Sequence, residues 1–343
     1  MSQKKSCGKH LALPVIAVIM VVAAVAAFLL FAPMSSSDET QYAYIDEDDN
    51  IDSVYAKIEP SAHGYSMMAF KALAGQLGYA DHIRTGRYAI DTSSGALQML
   101  RHLRNGQQEP VSLTIPSVRT LDRLAEDVSK RLMMDEDKLY AALTDESICE
   151  KYGLDTLTIQ CLFIPNTYDV YWNISVEKFL DRMKTESDKF WTKERKAKAT
   201  EAGLTEVQVI TLASIVDEET ANNGEKPMVA GMYINRYKQG MPLQADPTIK
   251  YAWQQFDLKR IYNKLLFIDS PYNTYRNVGL PPGPIRIPTV AGIDAVLNYV
   301  HHNYMYMCAK EDFSGTHNFA VTYAEHLKNA AKYSAALNNR GIK

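Results

Sequence analysis

A carboxylate near the end of an apolar helix is the strongest candidate for chemistry in this sequence. The stretch VQVITLASIVDEET predicts a helix, and Glu219 lies close to its end. The residues three, four and seven positions earlier are Val216, Ile215 and Leu212, all of them apolar. Glu219 therefore extends the buried stripe of the helix, where loss of hydration raises the pKa of a carboxyl group. Such a group can act as a general acid near neutral pH.

The two acidic neighbours of Glu219 are weaker candidates. Glu218 has mostly polar helical neighbours, and Asp217 is intermediate. Asp217 also projects about 200° around the helix from Glu219, which keeps the two carboxylates out of one cleft. One alternative stays open for Glu219, because a last-turn Glu can simply pair with a nearby cation such as Lys226.

A long loop further along the chain carries groups that suit sugar binding. The stretch DSPYNTYRNVGLPPGPIRIP is too rich in Pro, Gly and Asn for regular structure, and loops of this length inside a domain usually have a function. Sugars bind through hydroxyl, amide and aromatic groups. The candidates in this loop and in the DPT segment before it are Asp246, Thr248, Tyr272, Asn273, Thr274 and Tyr275. The alternative is that they are turn formers that only hold the shape of the loop.

Capping signals predict three helices around these candidates. The capping box Thr205–Gln208 opens the helix of Glu219. Pro227 suits the first turn of a second helix. Asp246 is the predicted N-cap of a third helix, with Pro247 at its first position.

The remaining pattern predicts a small β element and a small α/β module. Residues 304–309 and 317–320 flank a Ser314-Gly315 turn, which indicates a hairpin. A second capping box at 322–325 opens the final helix. Upstream, residues 51–115 alternate between predicted helices and strands, which is typical of a small α/β module.

The N-terminal apolar run predicts a membrane-spanning helix. Residues 11–32 are 22 consecutive residues without a charge, and a bilayer core of about 30 Å needs about 20 helical residues. Lys4, Lys5 and Lys9 precede the run and acidic residues follow it, so the N-terminus is expected in the cytoplasm and the body outside, anchored by one pass in the cytoplasmic (inner) membrane. The alternative is a cleaved signal peptide, but this run is longer than the usual apolar region of a signal and no clean small-x-small site follows it.

Composition and charge exclude several classes of protein. The chain of 343 residues is long enough for about two domains. Its net charge is −3, from 37 basic and 40 acidic residues, whereas a nucleic-acid binder normally has a basic excess. The four cysteines form no CxxC pair and no close cluster with histidine, so we expect neither a metal nor another cofactor.

The predicted fold class is α+β, with a single N-terminal transmembrane helix, a small α/β module and a mainly helical catalytic domain with a small β element. The predicted divisions are a cytoplasmic tail (1–10), the transmembrane helix (11–32), an acidic tether (33–50), the module (51–115), a helical connecting region (116–203) and the catalytic domain (204–343).

Five motifs in the C-terminal two thirds of the chain occur in order: FIPNTY, ASIVDEET, MVAGMYINRYKQGMPLQADPTIKYA, SPYNTYRNVGLPPGPI and GTHNF. Together they resemble the YceG-like family, also called MltG-type endolytic murein transglycosylases. The similarity covers essentially the whole chain and is strongest from Phe163 to Phe319. For residues 51–115 the resemblance implies a LysM-like fold. The sequence departs from the family pattern at Asp217, where Glu is common, and at Asn166, where Asp is common, which leaves the role of Asn166 undefined.

The resemblance implies that Glu219, the Glu directly before Thr, is the catalytic residue, in agreement with its helical face. The implied reaction cleaves the β-1,4 bond between N-acetylmuramic acid and N-acetylglucosamine in nascent peptidoglycan. Glu219 protonates the glycosidic oxygen, and its carboxylate then takes the proton of the C6 hydroxyl, which closes a 1,6-anhydro ring and terminates strand elongation. Gln244, Asn273 and Tyr275 are the candidates for positioning the N-acetyl group and stabilising the transition state.

Two rival functions stay open: a membrane-anchored muramidase that hydrolyses the same bond, and a non-catalytic glycan-binding scaffold of the wall-synthesis machinery. Hydrolysis normally needs two carboxylates, and Asp246, the best second carboxylate, is expected to be used in capping. The sequence therefore favours the one-carboxylate reaction. The expected partners are peptidoglycan glycan strands and bilayer lipid, with peptidoglycan synthases as further candidates and no nucleic acid.

Overall fold

The computed structural model describes residues 7–258 and 261–340, and this part of the chain separates into two compact units. Unit 1 contains the chain up to Leu113, together with Arg131–Met133 and Asp169–Ile174. Unit 2 contains Thr114–Lys130, Met134–Tyr168 and the chain from Ser175 onward. The predicted connecting region 116–203 thus contributes to both units.

The described residues form a mixture of helices and short strands. The helices are α1 (Cys7–Phe31), α2 (Ile51–Ile58), α3 (Gly64–Gln76), α4 (Ala96–Asn105), α5 (Leu121–Ser129), α6 (Glu136–Leu143), α7 (Glu146–Lys151), α8 (Val176–Phe190), α9 (Lys193–Ala202), α10 (Glu206–Glu219), α11 (Lys226–Lys238), α12 (Asp246–Trp253), α13 (Val290–Leu297) and α14 (Tyr323–Asn339). The strands are β1 (Gln41–Ile45), β2 (Gly86–Ile90), β3 (Val111–Thr114), β4 (Thr167–Val170), β5 (Tyr306–Ala309) and β6 (His317–Ala320). They pair as three two-stranded sheets, β1–β2, β3–β4 and β5–β6.

The segment predicted as an acidic tether is instead part of the folded core of unit 1. Residues 41–45 form β1, which pairs antiparallel with β2, so that Gln41 lies opposite Ile90. Ala43 and Ile45 of β1 are buried, and so is Met34 ahead of it. The prediction of a tether over 33–50 is therefore wrong. The alternation of β1 was hidden by the acidic residues that follow it, and its partner strand lies far along the sequence.

The predicted apolar helix is present at the N-terminus. Within α1, Leu13–Phe31 form a 19-residue stretch with a mean hydropathy of 3.0, long and apolar enough to cross a membrane. A helix with this composition is compatible with a membrane anchor and with a signal sequence. Its C-terminal end packs on α3 and α4 of unit 1, and residues 1–6 of the predicted cytoplasmic tail lie outside the described residues.

Unit 2 is built around α10. Every residue from Val209 to Val216 is buried, and α10 packs against α9, α11, α12 and α13. A helix that is buried on all sides needs apolar or small residues around its whole circumference, as the sequence VITLASIV provides. Because α10 is enclosed in this way, the carboxylates at its C-terminal end are held in defined positions.

Several local predictions for unit 2 are confirmed. The capping box at Thr205 is formed, with its hydroxyl and the Gln208 side chain each accepting a backbone N–H of the other, and the box at 322–325 is formed as well. The predicted hairpin is β5–β6, in which Tyr306 lies opposite Ala320. Residues 269–288 contain no helix or strand, as their Pro and Gly content predicted.

The predicted N-cap at Asp246 is wrong. The helix α12 begins at Asp246 itself, and the capping position belongs to Ala245, which makes no side-chain cap. The Asp246 carboxylate accepts a hydrogen bond from a tyrosine of the long loop instead of from the helix backbone. Asp246 is therefore not used in capping.

Candidate active site

Glu219 lies in the wall of a cavity of about 410 Å³, here called the Glu219 cavity. Its wall is formed by the end of α10, by α11, by the segment that leads into α12, by the 269–288 loop, by the β5–β6 hairpin and by α14. Polar, aromatic and a few apolar side chains share this lining, as is usual for small-molecule sites.

The carboxyl group of Glu219 has a hydrogen-bond donor from the neighbouring helix. The Tyr233 hydroxyl of α11 donates to Glu219 Oε1 at 2.6 Å, and Tyr233 itself is buried. Burial raises the pKa of Glu219 from 4.5 to about 7, with the hydrogen bond from Tyr233 lowering it and the charge of Asp246 raising it. At neutral pH the group can therefore both donate and accept a proton, as a general acid and base requires.

A second carboxylate, Asp246, lies in the same cavity wall. The hydroxyl of Tyr275 donates to Asp246 Oδ1 at 2.5 Å. Burial and the adjacent Asp246 raise the pKa of Tyr275 well above its ordinary value, so Tyr275 keeps its proton and remains a donor. The cavity thus holds two carboxylates, each bonded to a tyrosine hydroxyl.

The model of the YceG-like family matches residues 43–332, which is most of the chain. The chain belongs to the YceG-like family. The match extends through the whole of α10, the long loop and the β5–β6 hairpin, so every wall of the Glu219 cavity lies within the family region.

Curated relatives share this similarity over part of their length. A protein of Streptococcus pneumoniae R6 named endolytic murein transglycosylase is 28% identical over 322 residues, which cover 84% of this chain and 57% of that protein. A protein of the same name from Bacillus subtilis 168 is 38% identical over 133 residues, covering 39% of this chain and 36% of the relative. The chain therefore spans little more than half the length of the pneumococcal relative.

The fold has a counterpart among solved structures. A crystal structure of a YceG-like protein from Listeria monocytogenes superimposes with a TM-score of 0.54 and 25% sequence identity. The similarity covers 85% of this chain and 99% of the Listeria chain.

The predicted site residues of this YceG-like chain fall into two groups. Gln244, Asp246 and Tyr275 line the Glu219 cavity. Thr248, Asn273 and Thr274 are fully buried and are absent from its lining, and Tyr272 lines a different cavity. Tertiary structure thus brings three of the seven predicted binding residues together around Glu219.

The buried group holds the loop against α12. The hydroxyls of Thr248 and Thr274 lie 2.9 Å apart, and the Thr274 hydroxyl accepts the backbone N–H of Ala245 at 3.0 Å. The Asn273 side chain donates to the carbonyls of Leu266 and Ile268, both at 2.9 Å. The contacts of Thr248, Asn273 and Thr274 therefore hold the shape of the loop, which is the alternative role considered for them above.

Gln244 is held in a left-handed backbone conformation, with φ of 52°. Its N–H donates to the Thr274 carbonyl at 3.0 Å, and its Oε1 accepts from the Arg236 guanidinium at 3.3 Å. Such conformations are sparsely populated by residues other than glycine and asparagine, and they recur where a side chain must be placed at a site. The amide of Gln244 is therefore presented to the cavity from a fixed position.

The other two carboxylates of the α10 end are used in ion pairs outside the cavity. Asp217 pairs with Lys226 at 2.8 Å, and both side chains are buried. Glu218 bridges Arg119 and Arg286 at 2.8 and 2.9 Å. Because Lys226 pairs with Asp217, the alternative in which Lys226 merely neutralises Glu219 does not apply.

Sequence reasoning missed several residues of the cavity wall. Tyr233 and Arg236 are three positions apart and so share one face of α11, which is the signal that could have found them. Tyr306 of β5 and the pair Tyr323 and His326 of α14 also line the cavity. Their approach to Glu219 depends on how the hairpin packs, and no local pattern predicts that packing.

Arg236 connects three parts of the wall. Its guanidinium donates to the carbonyls of Met305 at 2.6 Å and Leu243 at 2.8 Å, and it also bonds Gln244. The hairpin is fixed separately, because the backbone and ring nitrogens of His317 lie 2.6 and 3.0 Å from the Glu225 carboxylate. Among the described residues, no three His, Cys, Asp or Glu side chains cluster as metal ligands.

Proposed function

We propose that this chain is an endolytic lytic transglycosylase that cleaves the N-acetylmuramic acid–β-1,4–N-acetylglucosamine bond of nascent peptidoglycan and terminates strand elongation. The observation that carries the proposal is the Glu219 carboxyl, with its pKa raised to about 7, in a cavity lined by hydroxyl, amide and aromatic groups. The names of the curated relatives support the same reaction class.

The reaction needs only one group, which acts first as an acid and then as a base. Protonated Glu219 gives its proton to the glycosidic oxygen as the bond to C1 of the muramic residue breaks. The C6 hydroxyl oxygen of the same residue then bonds to C1, and its proton passes to the Glu219 carboxylate. The products are a free 4-hydroxyl and a 1,6-anhydro end, Glu219 is again protonated, and no water is consumed.

The neighbouring groups have distinct roles in this proposal. The Tyr233 hydroxyl stabilises the carboxylate form of Glu219, which must accept the second proton. Gln244 and Tyr275 position the sugar and its N-acetyl group. Thr248, Asn273 and Thr274 act indirectly, because they hold the loop that carries Tyr275.

A hydrolytic muramidase is the second candidate function, and one observation favours it. Asp246 lies in the Glu219 cavity and is not used as a helix cap, so a second carboxylate is available to activate water. Hydrolases place two carboxylates on either side of the bond. The bond between Asp246 and the Tyr275 hydroxyl favours a supporting role, in which Asp246 orients Tyr275 and stabilises positive charge at C1.

The product distinguishes these functions. The full chain is incubated with purified peptidoglycan in ¹⁸O-water, and the released muropeptides are analysed by mass spectrometry. We expect new muramic ends that are one water lighter than reducing ends and carry no ¹⁸O. Glu219→Gln should abolish product formation, whereas Glu206→Gln, in the first turn of the same helix, should not. Stoichiometric ¹⁸O at the new ends would establish hydrolysis, and no cleavage by the folded wild-type chain would favour the scaffold.

We also propose a location and a domain arrangement for this activity. The apolar helix α1 anchors the chain in the cytoplasmic membrane by a single pass, with the N-terminus in the cytoplasm and the catalytic domain, residues 204–343, outside. The α/β module of unit 1 corresponds to the LysM-like module and binds glycan beside the membrane. Peptidoglycan strands are the substrate, and peptidoglycan synthases are candidate partners because nascent strands are made at the same surface.

A further inference from the structure

A second cavity in unit 2, of about 270 Å³, has a lining that suits a sugar and has no part in the reaction described above. It is here called the tyrosine cavity. Tyr251 of α12 and Tyr272 of the long loop form one wall, with ring centroids 4.7 Å apart. Tyr140 of α6, which is 44% exposed, lies in the same lining. Its volume is close to the lower end for ligand sites, about 300 Å³.

The lining contains a buried amide whose acceptor is unused. Gln160 is only 5% exposed, and its Nε2 donates to the carbonyl of Arg119 at 3.3 Å. Its Oε1 is buried and accepts no hydrogen bond within the described part of the chain. Buried polar atoms without a partner are uncommon in native proteins and often belong to sites that a ligand or water completes.

The lining groups define the chemistry of a ligand. The Gln160 oxygen and the Asp122 carboxylate accept hydrogen bonds, and Thr120 and Thr156 add hydroxyls. The described residues of the lining include no Lys, Arg or His, so an anionic group has no cation to pair with there. A neutral ligand with several donors and one apolar face fits best, and an N-acetylated amino sugar has these features.

The tyrosine cavity shares its supporting elements with the Glu219 cavity. In α12, Asp246 lines the Glu219 cavity and Tyr251 lines the tyrosine cavity, about 7 Å further along the helix axis. In the loop, Tyr275 lines the Glu219 cavity and Tyr272 lines the tyrosine cavity. The five residues from Asp246 to Tyr251 also turn about 140° around the helix axis, so a strand that fills both cavities must pass around α12.

We infer that the tyrosine cavity is a second carbohydrate subsite, which binds an N-acetylated sugar of the strand whose bond lies at Glu219. The amide N–H of the N-acetyl group donates to the Gln160 oxygen, and the apolar face of the sugar packs on the tyrosine rings. This inference rests on the proposed function, because it takes the same glycan as the ligand. It adds that binding strength depends on the length of the strand.

The test uses the full chain in detergent with Glu219→Gln as the parent, so that ligands are not cleaved. Binding of an unsubstituted N-acetylglucosamine–N-acetylmuramic acid disaccharide and of the corresponding hexasaccharide is measured by calorimetry. Gln160→Met and Tyr140→Ala should each weaken hexasaccharide binding about tenfold, the equivalent of one good hydrogen bond or ring contact, without changing disaccharide binding. Tyr171→Ala, at an exposed tyrosine outside this lining, should change neither.

A stability measurement separates ligand binding from structural support. If the unpaired oxygen of Gln160 serves a ligand, Gln160→Met should change the melting temperature of the free protein little, because the removal of an unsatisfied buried oxygen offsets the loss of the Nε2 hydrogen bond to the Arg119 carbonyl. Wild-type affinity of both variants for the hexasaccharide would overturn the inference, and so would an effect seen only when the glycan carries peptide stems. A parent that binds neither sugar, with a wild-type chain that forms no anhydro ends, would overturn the proposed function itself.

Discussion

At the level of single residues, the protonation of Glu219 depends on three neighbouring influences. Burial raises its pKa, the Tyr233 hydrogen bond lowers it and the charge of Asp246 raises it, to a final value of about 7. The first step of the proposed reaction needs the protonated form. Activity is therefore expected to decline as the pH rises through about 7.

Removal of the Tyr233 hydroxyl should move this decline. In Tyr233→Phe the carboxylate form of Glu219 loses its donor, so its pKa rises and the alkaline fall of kcat/KM moves up by about one pH unit. The measurement is the pH profile of kcat/KM. Tyr237→Phe is the control, because Tyr237 is on the same helix but bonds Gln208. Identical profiles for Tyr233→Phe and wild type would contradict this account.

The raised pKa of Glu219 also predicts how stability depends on pH. The folded state holds the proton up to about pH 7, whereas the unfolded chain releases it near 4.5, so stability is lost as the pH rises between these values. Glu219→Gln has no such loss. Its free energy of unfolding should exceed that of the wild type by about 3 kcal/mol at pH 8, and the difference should vanish toward pH 4. Denaturant titrations at the two pH values measure it, and a constant difference would argue against a raised pKa at Glu219.

At the level of elements, the junction of α10 and α11 rests on a buried ion pair. Asp217 is 2% exposed and Lys226 6%, and Asp217 also accepts the backbone N–H of Thr289 at 2.6 Å. Asp217→Asn leaves the Lys226 ammonium buried without a counter-charge. We expect a loss of about 3–5 kcal/mol in the free energy of unfolding, whereas Glu194→Gln, at an exposed pair with Lys198, should cause no measurable loss. Equal stability of the two variants in denaturant titrations would refute the structural role of the pair.

The attachment of α1 to unit 1 depends on a glycine. A Cβ on Gly95 would lie 2.6 Å from the carbonyl oxygen of Leu30 and 2.8 Å from Cα of Phe31. Gly95→Val should therefore lower the free energy of unfolding by about 2 kcal/mol. Gly75→Ala in α3 meets no atom within 4 Å and should raise it by up to about 1 kcal/mol. Thermal melts of both variants test this, and a neutral Gly95→Val would mean that α1 is not held here.

At the level of the whole molecule, the contacts between the C-terminal end of α1 and the rest of unit 1 indicate whether α1 is cleaved from the mature chain. The ring of Phe28 lies 5.2 Å from that of Tyr65, and Leu29 packs against the core of unit 1. Cleavage after the apolar run would remove both of these contacts from unit 1. We therefore expect the mature chain to keep its N-terminal residues and to stay in the membrane fraction after alkaline extraction. Mass analysis of the purified protein checks this, and a soluble chain that begins after α1 would identify a signal peptide.

The sequence by itself determined the features that depend on neighbouring residues. The apolar residues before Glu219 recur with helical spacing, so its buried face follows from local geometry. The capping box at Thr205 and the hairpin turn at Ser314-Gly315 are likewise formed by residues a few positions apart. Side-chain chemistry indicated Asp246 and Tyr275, and the family resemblance added Gln244; the structure brings all three to the cavity of Glu219.

Only the tertiary structure decided which groups meet. Tyr233 reaches Glu219 because α11 packs on α10, and β1 has a partner only because β2 returns to it from far along the chain. Tyr272 and Tyr275 are three positions apart, yet they line different cavities because the loop between α12 and α13 is irregular. These contacts arise from the packing of segments that are distant in sequence. The packing energy comes from many contacts across the whole core, so no periodic pattern in the local sequence predicts it.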